Sequence, residues 1–73
     1  MKAEEWIAAF AQEIGARRPD EEAVGELLEL AATAAHSSER IAAPIACYLA
    51  GVTGAPLSEL RTIADGIGAE ERP

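Results

Sequence analysis

Seventy-three residues, with 13 acidic against 6 basic side chains and a net charge of −7, suffice for one small domain. Hydrophobic residues make up 49% and charged ones 26%, the balance of a globular chain and not of a disordered or collagen-like one. No apolar run approaches the ~20 residues that cross a bilayer, the acidic opening Met1-Lys2-Ala3-Glu4-Glu5 lacks the cationic and apolar regions of a signal peptide, and the lone Cys47 allows no internal disulfide. A cytoplasmic location is therefore expected.

The charge narrows the partners. A surface of −7 is repelled by phosphate backbones and anionic membranes, and the basic residues are scattered apart from Arg17-Arg18, so neither nucleic acid nor a membrane is expected as a partner. A basic protein surface is the natural complement, although net negative charge also serves plain solubility.

Alanine accounts for 17 positions and large apolar side chains for another 17. Ala is the strongest helix former, and β-branched residues are few. The expected fold class is all-α, a single domain over residues 1–73 built as a small bundle of four short helices.

The first helix is predicted over about residues 3–15, with Trp6, Ile7, Phe10 and Ile14 on one face and Gly15 as an αL cap. Trp6 and Phe10 are read as core anchors, with an exposed partner-binding stripe as the second reading. Arg17-Arg18 then belongs to a solvated loop. The second helix is predicted over about 20–37, capped by Asp20, with Val24, Leu27, Leu28, Ala31 and Ala35 following the amphipathic rule.

The third helix is predicted over about 39–52, carrying Ile41, Ile45, Tyr48, Leu49 and Val52. Its start is placed between residues 38 and 41, so that Pro44 falls in the first turn, where a missing N–H costs little. The fourth is predicted over about 58–67, with Ser58 as N-cap and Gly66 and Gly68 as terminators, followed by a frayed tail over 69–73. The alanine groups Ala31-Ala32 with Ala34-Ala35, and Ala42-Ala43 with Ala46, permit close helix approach. Packing within one chain is preferred, and self-association as a homodimer is the second reading.

The chain has one concentrated polar segment in its middle, His36-Ser37-Ser38-Glu39-Arg40. Helix punctuation is the preferred reading: His36 near the end of the second helix, Ser37 or Ser38 capping the third, Arg40 paired with a nearby acid. A docking surface comes second and catalysis last, because neighbours i, i+1 and i+2 on a helix diverge. Cys47 is read as a small buried hydrophobe. Neither a phosphate-cradling loop nor a set of four Cys and His zinc ligands is present, so no cofactor and no metal are expected, and the chain is read as no enzyme. An acyl-carrier role is disfavoured as well, since no serine here follows Asp and precedes Leu.

The run from Ala35 through His36, Ser37, Ser38, Glu39, Arg40, Ile41, Ala42 and Ala43 to Pro44, continuing to Tyr48-Leu49-Ala50-Gly51, resembles the signature of a small bacterial domain family of unknown function. Members of that family occur alone or fused behind the nucleotidyltransferase domain of molybdenum cofactor guanylyltransferase, MobA. Trp6, Phe10 and Gly15 are also similar. The resemblance implies a non-catalytic interaction module accessory to molybdopterin guanine dinucleotide biosynthesis, docking on the guanylyltransferase or on a client apoenzyme. If the motif marks a surface, it carries over to His36, Glu39, Arg40 and Pro44. The alternative is a binder of an anionic pterin or nucleotide, held by Arg40, His36 and a helix N-terminus.

Overall fold

The computed structural model describes residues 1–67, and among them the secondary structure is four α-helices with no strand. They are α1 (Ala3–Glu13), α2 (Glu21–Ser37), α3 (Ala42–Thr53) and α4 (Leu57–Gly66). The fold class is all-α, as the composition implies. Gly68 and the frayed tail expected over 69–73 lie outside the described residues.

Local chemistry explains most of the boundaries. The α1 start is closed by the Glu5 carboxylate, which accepts a hydrogen bond of 2.8 Å from the Lys2 backbone N–H. At its end Gly15 takes a left-handed φ of 72°. The Ala16 N–H then reaches back to the Ala11 carbonyl at 2.8 Å and the Gly15 N–H to Gln12 at 3.2 Å, the pattern of a Schellman cap. Asp20 caps α2 as expected, accepting from the Ala23 N–H at 2.8 Å. Gly54, at φ 68°, closes α3.

Two predicted serine caps are replaced by other devices. Ser37 and Ser38 do not start α3; their hydroxyls donate backwards to the carbonyls of Thr33 and Ala34 at 2.6 Å each, and so finish α2. Glu39 to Ile41 form a tight turn instead, in which the Ala42 and Ala43 N–H groups donate to Glu39 and Arg40. Helix α3 accordingly begins at Ala42, later than predicted, with Ile41 at its N-cap and Pro44 as its third residue. Ser58 likewise lies inside α4, whose N-cap is Pro56. Proline there presets the backbone for the turn that follows.

The packing has α2 as its hub, with α3 and α4 laid against it. Ala42, Ala43, Ala46, Cys47 and Ala50 of α3 are buried or half-buried on its inner side. Arg61 of α4 crosses to α2, where its guanidinium meets Glu26 at 3.4 Å and also Glu29. Buried hydrophobic residues among those described are few: Ala11, Leu30 and Ala50. The molecule is elongated, 43 × 25 × 18 Å, with a radius of gyration of 13.4 Å. A compact chain of this length has about 11 Å.

Helix α1 takes no comparable part in the packing. Its Ile7 lines an open groove of about 450 Å³ together with Val24 and Leu28 of α2, rimmed by side chains of both charges, Lys2 and Arg18 with Glu4 and Glu21. Trp6 and Phe10 are not core anchors. They are 56% and 50% exposed and stack on each other, ring centroids 5.0 Å apart. The apolar face of α1 is real, but helical periodicity alone cannot say what covers it.

Candidate functional site

The four residues expected to form a surface, His36, Glu39, Arg40 and Pro44, lie at the elbow between α2 and α3. His36 stands in the last turn of α2, where a positive charge suits the helix dipole. Glu39 and Arg40 occupy the turn, and Pro44 the first turn of α3. All four are exposed. Among the described residues no hydrogen bond or ion pair joins them to one another or to the rest of the chain through their side chains. Arg40 therefore does not find, among the described residues, the nearby acid expected of it. Among the described residues the cation that does bridge helices is Arg61.

The hydroxyls of this segment are committed to the helix end, and the imidazole has no serine to activate. A shallow depression beside His36 is lined by Ala32, Thr33 and Asp65, not by Arg40. Among the described residues no group of three or more His, Cys, Asp or Glu side chains could hold a metal ion. Cys47 is half-buried, its thiol 3.7 Å from the Leu27 carbonyl, which places it in the α2–α3 contact.

Around the elbow the surface is strongly apolar. Ile41 is 73% exposed, and Ile45, Tyr48, Leu49 and Val52 continue the same outer face of α3, each more than half exposed. Counting Trp6, Phe10, Ile14, Leu28, Ile63 and Ile67, eleven of the 17 large apolar side chains have at least half their surface in water. The hydrophobic pattern had identified these residues as a face. It had not identified the face as uncovered, and the lack of any charge between Ala42 and Thr53 was the available signal.

A family model described as Domain of unknown function (DUF6457) matches residues 1–69. The chain belongs to that family. No curated protein and no solved structure matches it. Among the described residues no helix of this DUF6457 chain is long and apolar enough to cross a membrane.

Proposed function

We propose that this chain is a non-catalytic helical protein-interaction module, accessory to molybdenum cofactor (molybdopterin guanine dinucleotide) biosynthesis, that docks on the guanylyltransferase. The observation that carries the docking is the α2–α3 elbow. His36, Glu39 and Arg40 present charged and polar groups without partners among the described residues, directly beside the exposed Ile41 and Ile45. An apolar patch with a polar rim that includes an arginine has the anatomy of a protein interface. The pathway rests on the resemblance of residues 35–51 to domains fused to the guanylyltransferase. The net charge of −7 favours a partner with a basic surface, and association should slow as salt is added.

Titration with purified guanylyltransferase tests this reading. Binding is expected, weakened about tenfold by Arg40→Ala, an effect of roughly 1.4 kcal/mol. No association at high micromolar concentration overturns it. Association with a client apoenzyme instead would keep the module and change its partner. The ligand-binding alternative calls for a cavity shared by His36 and Arg40, and the depression beside His36 does not include Arg40.

A further inference from the structure

We infer that the outer apolar faces of α1 and α3 are covered by a second copy of this chain, the α1 stripe of each protomer lying on the α3 face of the other. Three observations lead there.

The first is area. The chain exposes 5932 Å², where a compact monomer of 7.6 kDa exposes about 4,300 Å². The surplus of about 1,600 Å² is twice the ~800 Å² that each partner gives to a stable interface of standard size. That total, summed over the whole chain, leaves room for an interface of this size.

The second is the way α3 sits. At about 100° per residue, Ile41, Ile45, Tyr48, Leu49 and Val52 fall within roughly a 100° arc, while the alanines and Cys47 that touch α2 occupy the opposite side. This helix carries no charge anywhere. Two chains of −7 approach with least repulsion through such a surface.

The third is α1. Its Ala11 is buried, but Trp6, Phe10 and Ile14 are uncovered, and a helix of 11 residues is marginal in water without further tertiary contacts. Its stripe Trp6, Phe10, Ile14 is some 12 Å long against about 16 Å for Ile41 to Val52, so it fits within the α3 face. Two-fold symmetry makes the contact twice and leaves no unmatched surface to propagate. The dimer covers Ile41 and Ile45, so the docking proposed above engages the monomer and competes with self-association. The self-association does not depend on that docking.

Sedimentation equilibrium of the whole chain, with the emission of the lone Trp6 followed over the same concentrations, tests the inference. The expected result is a species of twice 7.6 kDa whose tryptophan emission shifts to the red on dilution. Phe10→Lys and Tyr48→Glu, both at exposed positions, should each weaken dimerisation at least about tenfold. Mixing the two variants should restore a dimer, because the introduced ammonium then faces the introduced carboxylate across one contact while the other contact is native. That rescue cannot come from variants that merely fail to fold. A wild-type chain that stays monomeric at high micromolar concentration overturns the inference, as does a dimer that persists unweakened in both variants. A Trp6 shift that needs added guanylyltransferase, with the chain alone monomeric, also overturns it and assigns the face to that partner.

Discussion

On one side of α3, Ala42, Ala43, Ala46, Cys47 and Ala50 lie against α2; on the other, Ile41, Ile45, Tyr48, Leu49 and Val52 stand in solvent. A monomeric helix ordinarily buries its large residues and exposes its small or polar ones. Here the small residues are inside. Their size lets the α2 and α3 backbones approach closely, which gains dispersion contacts but removes little apolar area from water. The larger hydrophobic contribution is held back on the outer face. The contrast divides the stability of the chain into a part complete within one protomer and a part that waits for another surface.

The inner side is the place to break this comparison most severely. Leu30 of α2 is 5% exposed and is the largest residue in the small core. Leu30→Ala should cost about 3 kcal/mol, read as a lowered denaturation midpoint. Next comes Ala50, 6% exposed on the α3 inner side. Ala50→Leu should cost about 2 kcal/mol by forcing α2 and α3 apart, whereas the same enlargement at the exposed Ala32 should be nearly neutral. Equal effects at both sites would show that the alanine face is not closely packed.

Smaller changes sharpen the division. Asp20→Ala removes the α2 cap and should cost about 1 kcal/mol, recovered in large part by Asp20→Ser. Arg61→Ala should cost only about 0.5 kcal/mol at low salt and less at high salt, because its side chain remains 36% exposed and the pairs are screened. Chemical denaturation at two ionic strengths checks it. On the outer side, Leu49→Ala should change the stability of a dilute monomer by less than about 0.5 kcal/mol.

Much of the fold could be read from residue order. Asp20 marked the start of α2, Gly15 its predecessor's end, and alanine content the helical class, because each acts through local backbone chemistry. Pro44 fell in the first turn of α3 for the same reason. The serine caps were misplaced since a hydroxyl can equally well bond back to a carbonyl four residues earlier, as Ser37 and Ser38 do. Trp6 and Phe10 were misassigned because spacing groups side chains without naming their neighbour. The place of His36 near the end of α2 was legible, but that Arg40 lacks an ion-pair partner among the described residues, and that Arg61 has two, depends on how α4 docks.

That clasp of one guanidinium on Glu26 and Glu29 has an orienting effect as well. Sliding α4 by a single residue would swing Arg61 about 100° off both carboxylates, so the two pairs favour the rotational setting seen here on α2. In that setting Leu57, Leu60 and Ala64 turn inward with Arg61, and Ile63 and Ile67 are aimed to the far side. Two contacts of little energetic weight thus work like a compass needle, biasing the bearing of Ile63 and Ile67 without setting it alone.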